Sequence, residues 1–341
     1  MLSYKIKNIF LKNNLFLHKC QYLNWYEIML LIREFEEKVG QLYAEQKIDG
    51  FCHLYTGQEA CIVGAITALS RFDKYITSYR DHGHPIALGS SLKYIMAELF
   101  SKITGLSRGK GGSMHIFDRK RNFFGGHGIV GSQISIGTGI AFAEKYKKTK
   151  NLCITFLGDG ATKQGSFHES FNLAMLYKLP IIFLIENNGY AMNTPVEMSS
   201  NVLDLYKLGS SYNMKSECVD GMSVEKVHNA IYNAAFNVRN NGSPYLIECK
   251  TYRYKGHSMF DSTKNNKKEL TKYKKIDPIE MIKKTIIKNN FSINKDLDLI
   301  MLKIKKIITD SVNFSEKSSF SNLKDIYNNI YCNNNYLFLN S

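Results

Sequence analysis

Two apolar runs constrain this chain more than anything else in it: NLCITFL at 151–157 and PIIFLIE at 180–186, each leading into a polar, glycine-bearing segment. They are rich in β-branched and aromatic residues and apolar on both faces. That pattern suits strands of a parallel sheet covered by helices on each side. Between them, KQGSFHESFNLAMLYKL (163–179) sets Phe167, Phe171, Ala174 and Met175 on one helical stripe. A strand, a helix and a strand in this order form a parallel crossover, so both strands end at the same edge of one sheet.

The remaining pattern extends that unit. Residues Trp25 to Gln46 repeat apolar side chains at helical spacing, and 57–69, 92–103 and the second half of 125–146 continue the series. SPYLIECKTYR (243–253) is expected to be a further strand, preceded by the helix SVEKVHNAIYNAAFNVRN. Polar loops bearing Gly and His lie between: FCHLYTGQE, TSYRDHGHP and SRGKGGSMH. The expected fold class is α/β: a doubly wound, mostly parallel sheet flanked by helices, with helical extensions at both ends. The expected division is a basic extension at 1–21 and one domain at 22–341. That domain has its core at 50–260 and a lysine- and asparagine-rich helical appendage at 261–341.

Charge and composition narrow the partners. Lys and Arg total 45 against 30 acidic residues, a net charge of +15. The lysines gather with asparagines at 1–20 and 264–308, without the aromatic-studded basic stripe of nucleic-acid modules. No nucleic-acid partner is expected; the excess charge suits anionic ligands. No apolar run reaches bilayer length, so neither is a membrane partner. The seven cysteines (Cys20, Cys52, Cys61, Cys153, Cys218, Cys249 and Cys332) contain no C-x-x-C pair, which fits a reducing compartment. The first twenty residues hold four lysines and no acid, but also no arginine, as organelle transit peptides require. A bacterial cytoplasm is therefore the first expectation for location and a mitochondrial matrix the alternative.

In open parallel sheets, ligands sit outside the carboxyl ends of the strands. Here those ends read GDG (158–160) and ENNGY (186–190), with Asn188 lying 29 positions after Asp159. A carboxylate and an amide carbonyl brought to one edge are hard oxygen donors, suited to Mg²⁺ or Ca²⁺ with phosphate oxygens completing the shell. Gly158 and Gly160 would let the backbone approach a diphosphate closely. Arg80 and Lys110 are candidate cations for those phosphates. A lone G-D-G is an ordinary turn; it is the matching N-N that makes it a candidate site. SRGKGGS (107–113) misses the phosphate-loop spacing by one residue, and GTGIAF (137–142) lacks the third glycine of a dinucleotide fingerprint.

GDG followed after some thirty residues by NN resembles the thiamine-diphosphate-binding motif. The blocks FCHLYTGQEA, SYRDHGH, KGGSMHIF, GGHGIVG, NLAMLYKLP and TYRYKGHSM narrow the resemblance to the alpha subunits of the pyruvate dehydrogenase component of 2-oxo acid dehydrogenase complexes. It runs from about residue 22 to the end, densely as far as 260. It implies a thiamine-diphosphate-binding fold and oxidative decarboxylation of pyruvate with acetylation of a lipoyl group. Mg²⁺ would be held by Asp159, Asn188 and the main-chain carbonyl of Tyr190. Gly158, Gly160 and Ala161 would line the diphosphate, with Tyr79 and Arg80 as further cofactor ligands. Gly128 and Val130 would face the aminopyrimidine, and Met192 would be the wedge that bends the cofactor. His53 and His257 would be the active-site histidines, His257 also near the diphosphate, while His82, His84 and His115 are expected to be structural.

The resemblance also implies what comes from elsewhere: a beta subunit in a two-alpha, two-beta heterotetramer, supplying the glutamate that activates the cofactor, and a dihydrolipoyl acetyltransferase core. Acetoin and branched-chain 2-oxo acid dehydrogenase alpha subunits share parts of the pattern, but FCHLYTGQEA with GGHGIVG favours pyruvate. A non-enzymatic alternative is a Rossmann-like binding module. After TYRYKGHSM the sequence departs from the family, with Asn265 and Asn266 where a Tyr-Arg pair is usual.

Overall fold

The computed structural model describes residues 14–261, 267–323 and 325. The helices and strands follow one another as α1 (Asn14–Ala44), α2 (Glu59–Ala68), β1 (Lys74–Ser78), α3 (Gly83–Ala87), α4 (Leu92–Leu99), β2 (Phe123–His127), α5 (Ser132–Tyr146) and β3 (Cys153–Gly158). The second half continues with α6 (Gly165–Leu176), β4 (Ile181–Asn187), a two-strand hairpin of β5 (Tyr190–Ala191) and β6 (Thr194–Pro195), and α7 (Val196–Ser199). It closes with β7 (Lys215–Asp220), α8 (Val224–Asn241), β8 (Tyr245–Lys250), α9 (Lys267–Lys275), α10 (Pro278–Lys288) and α11 (Asn294–Lys317).

Six strands form one sheet in the order β2-β1-β3-β4-β8-β7, every pairing parallel. This is the expected α/β architecture. Period-two alternation divides the sheet between two apolar layers. Ile154, Phe156, Ile182, Leu184 and Ile247 face one layer with α1, α2, α8, α10 and α11. Cys153, Leu157, Ile181, Phe183, Ile185 and Leu246 face the other with α5 and α6. Phe167, Phe171 and Ala174 of α6 are fully buried there, as their helical spacing foretells.

The helices of the 261–341 region share the first layer. Ile279, Ile282 and Ile286 of α10, and Leu297, Ile304, Ile308 and Val312 of α11, belong to one cluster with Trp25, Phe35 and Val39 of α1. Asp277 caps α10, its carboxylate accepting from the Ile279 and Glu280 N–H groups at 2.9 and 3.3 Å, with Pro278 in the first turn. Such a cap contributes about 1 kcal/mol.

The chain reverses its winding between β1 and β3. From β1 it crosses to β2 on one side, then returns to β3 on the other and proceeds to β4. That is a topological switch point, where the loops part and leave a crevice at the carboxyl edge. Ser78 of β1, His127 of β2, Gly158 of β3 and Asn187 of β4 all end there.

Candidate active site

Asp159 opens the turn that follows β3 and is 2% exposed. Its Oδ2 meets no hydrogen-bond partner among the described residues. Burial pushes its carboxyl up to about 6. A carboxylate oxygen left bare in the interior is costly unless a cation completes it. The turn is held from below by Thr162, whose hydroxyl donates to the Asp159 carbonyl at 2.7 Å.

Asn188 lies just past β4, and the register Gly158↔Glu186 brings its segment alongside Asp159. Its Oδ1 accepts from the Tyr190 N–H at 3.2 Å, and its Nδ2 donates to Gln58 Oε1 at 2.8 Å. Gly160 packs on the β5–β6 hairpin so closely that a Cβ there would stand 2.8 Å from the Ala191 Cβ. Glycine is what lets the two strand-end segments touch. Tyr190 is fixed by its hydroxyl, which donates to Glu269 at 2.9 Å. Ala161 is buried and Met192, at the hairpin tip, is 61% exposed with a left-handed φ of 56°.

Two buried arginines face this edge. Arg80 follows β1 and donates to the Leu54 carbonyl and, at 2.8 Å, to the His257 carbonyl. Arg253 follows β8 and donates to the Lys255 and Met192 carbonyls at 3.1 and 3.2 Å. Neither guanidinium has an ion-pair partner among the described residues. Burial lowers both, and Arg253 falls to about 9 with Arg80 as the next cause. Arginines keep such positions for a ligand with several negative oxygens. Sequence reasoning missed Arg253, although its place just beyond a strand end was a usable signal.

The histidines lie beside the arginines. The His53 ring stands 4.6 Å from Tyr79 and 5.1 Å from His257, and Tyr79 and His257 are 5.7 Å apart, centroid to centroid. Burial and then Arg80 push His53 down to about 3 and His257 to about 4. Both are neutral near pH 7, and the buried Nδ1 of His53 has no partner among the described residues. A buried chain holds His53 in place: Glu36 bonds His82 Nδ1 at 2.9 Å, and His82 Nε2 bonds the Ser113 hydroxyl at 2.8 Å. The Ser113 hydroxyl in turn accepts from the His53 N–H at 3.4 Å. Against the cost of burial, the Glu36 carboxylate keeps His82 above its ordinary range.

The loop leaving β2 completes the rim. Gly128 sits against the His115 ring, Val130 is 41% exposed, and the Ser166 hydroxyl donates to the Gly131 carbonyl at 3.3 Å, joining this loop to the start of α6. Lys110 is not drawn in; its ammonium reaches the Asp325 carbonyl. Ser258 donates to Asp261 through its N–H and hydroxyl at 2.8 and 3.1 Å. Asn265 and Asn266 lie outside the described residues.

The sequence profile of the family described as "Dehydrogenase E1 component" matches residues 27–324, and the chain belongs to that family, whose members are oxidoreductases. Among its relatives, the pyruvate dehydrogenase E1 component subunit alpha of Rickettsia felis is 50% identical over 315 residues, covering 92% of this chain and 97% of that one. The subunit of the same name from Rhizobium meliloti is 45% identical, covering 90% of this chain and 89% of its own. The chloroplastic subunit alpha-3 of Arabidopsis thaliana is 37% identical over 93% of this chain and 76% of its own. No helix among the described residues is long and apolar enough to cross a membrane.

Proposed function

We propose that this chain is the alpha subunit of a pyruvate dehydrogenase, holding thiamine diphosphate through Mg²⁺ and acting with a beta subunit. The observation that carries the reading is the buried Asp159 oxygen with no hydrogen-bond partner among the described residues, near Arg253 and Arg80, two buried arginines that form no ion pair there. A dication would be held by that oxygen, and a diphosphate by the arginines, so that the two groups together would satisfy both halves. In this reading Asp159, Asn188 and the Tyr190 carbonyl hold Mg²⁺. Arg80 and Arg253 compensate the diphosphate, and Gly158, Gly160 and Ala161 let the main chain approach it. Tyr79 would flank it beside Arg80, Gly128 and Val130 would lie on the aminopyrimidine side, and Met192 would be the apolar wedge against the cofactor.

When bound, thiamine diphosphate supplies the electron sink that pyruvate needs to lose CO₂. This chain's part is to bind, orient and handle protons. His53 and His257 are neutral near pH 7, so each can accept a proton from the substrate without first shedding one, and can return a proton only after taking it up. The acceptor would be the lipoyl disulfide of a dihydrolipoyl acetyltransferase core, which would take up the two-carbon unit as an acetyl thioester and itself be reduced to the dithiol, toward acetyl-CoA.

The activating glutamate belongs to the beta subunit in this proposal, and the assembly is a heterotetramer of two alpha and two beta chains. The outer faces of α5 and α6 expose Ile136, Phe142, Leu173, Leu176 and Tyr177, a surface that supports such a partner. The relatives from Rickettsia and Rhizobium support a bacterial cytoplasmic enzyme. Calorimetry of the alpha–beta complex with thiamine diphosphate is expected to show binding with Mg²⁺ and none with EDTA. A substrate panel is expected to favour pyruvate; turnover of branched 2-oxo acids or acetoin alone would overturn the substrate assignment. The alpha chain by itself is expected to leave pyruvate untouched.

A further inference from the structure

An asparagine can serve a cation only with its oxygen turned toward the metal. The two ends of the amide are nearly the same size, and a half-turn presents an NH₂ group instead. Asn188 is constrained on both sides. The Tyr190 N–H marks the oxygen side at 3.2 Å, and the Gln58 Oε1 takes the nitrogen side at 2.8 Å. The N–H contact occupies one lone pair of Oδ1 and leaves the other for a cation.

Gln58 is in turn held rigidly. It is 1% exposed and sits at the start of α2, in a loop that presses on the segment leaving β8. Gly57, at a φ of +101°, approaches that segment so tightly that a Cβ would stand 2.4 Å from the Tyr252 carbonyl. The Tyr254 N–H donates to the Thr56 carbonyl at 2.9 Å. Glu59, fully buried, accepts from the Gly57 N–H at 3.0 and 3.1 Å and forms a two-pronged ion pair with Arg33. Arg33 reaches Asp277 at 3.0 Å, and the Tyr254 hydroxyl donates to the same carboxylate oxygen at 2.9 Å. Ion pairs, main-chain bonds and a glycine contact thus fix the residue that touches Asn188.

From this arrangement we infer that Gln58 is a positioning residue of the cation site: its side-chain oxygen locks the Asn188 amide with Oδ1 toward the metal. The inference rests on the reading of Asp159 and Asn188 as metal ligands. It states which side chain makes Asn188 competent and why an acceptor must stand there.

The test uses the alpha chain assembled with its beta subunit. Thiamine diphosphate is held at a fixed concentration, Mg²⁺ is titrated, and cofactor binding is followed by the quenching of protein fluorescence. Gln58→Met removes the acceptor at similar size, and the half-saturating Mg²⁺ concentration is expected to rise about tenfold. Gln58→Glu keeps the acceptor and is expected to stay within about threefold of wild type. Should Gln58→Met fail to assemble, Gln58→Ser, which leaves room but cannot reach Asn188, is expected to show the same rise. A general packing defect would lower the melting temperature in each variant and leave the Mg²⁺ dependence where it was; that result overturns the inference, as does an equal shift in Gln58→Glu. Asp159→Ala separates the two levels. If cofactor binding in that variant stays Mg²⁺-dependent and undiminished, the cation-site reading itself falls. If it is lost while Gln58→Met binds like wild type, only the role of Gln58 falls.

Discussion

The loop at 107–112 and the turn at 158–161 are both glycine-bearing segments of the kind that cradle charge, yet they are completed in opposite ways. In the loop, the buried Glu98 carboxylate takes the N–H groups of Ser107, Gly109, Gly111 and Gly112 at 2.7 to 3.2 Å. The chain supplies its own anion, and the loop has nothing left to offer a phosphate. At the turn, Asp159 keeps an oxygen without a hydrogen-bond partner among the described residues, and there Arg80 and Arg253 donate to main-chain carbonyls. A loop that resembles a phosphate cradle is a structural brace when its partner is internal; a strand end whose partner is withheld is a candidate site.

Substitutions can sharpen that contrast. The largest effect is expected from Glu98→Ala, which strips four N–H groups of one shared acceptor and costs roughly 3 kcal/mol of stability. Chemical denaturation measures it, and an unchanged midpoint would break the comparison. Asp159→Ala is expected to weaken cofactor binding by about a hundredfold, or about 2.7 kcal/mol, in calorimetry of the complex. In the cofactor-free chain the same change removes an unpaired buried oxygen and is expected to stabilise by about 1 kcal/mol, the opposite sign to Glu98→Ala.

Next in size, Arg253→Lys replaces a planar fork by a point charge and is expected to cost about tenfold in thiamine diphosphate affinity, with no more than a small change in melting temperature. The smallest effect concerns His53. Its folded pKa of about 3 lies below the ordinary 6.5, so as pH falls through 6.5 the unfolded chain gains a proton that the folded chain refuses. Stability of the cofactor-free protein is expected to drop by less than about 1 kcal/mol from this group between pH 7 and 6. His53→Gln should flatten that part of the profile. A variant as acid-sensitive as wild type would show that His53 is not held neutral.

Some elements were legible in the residues and others were not. β3, β4 and β8 announce themselves because both faces are buried, and α6 because Phe167, Phe171 and Ala174 share one stripe. β1 was hidden by its brevity: KYITS buries three central residues, and its end was read as part of a loop. β2 carries two glycines in five residues, and β7, at the sheet's edge, mixes exposed and half-buried positions with none fully buried. In the site, Asp159 and Asn188 could be paired because a crossover returns both strand ends to one edge. Arg253 obeys the same rule but was eclipsed by His257 in the same block. Gln58 left no trace, since a side chain acting through another residue depends on contacts 130 positions apart.

The Arg33 to Asp277 bridge also has a meaning for biosynthesis. Its partners are separated by 244 positions, and the α1–α10 apolar packing spans a similar distance. Chain growth delivers α1 first, and the share of its apolar cover that α10 and α11 provide arrives only near the end of translation. Contacts of such separation form slowly and leave intermediates open to aggregation. The brace that joins Glu59 through Arg33 to Asp277 is therefore among the last parts of the molecule that can be set, since Asp277 must be made before Arg33 can pair with it.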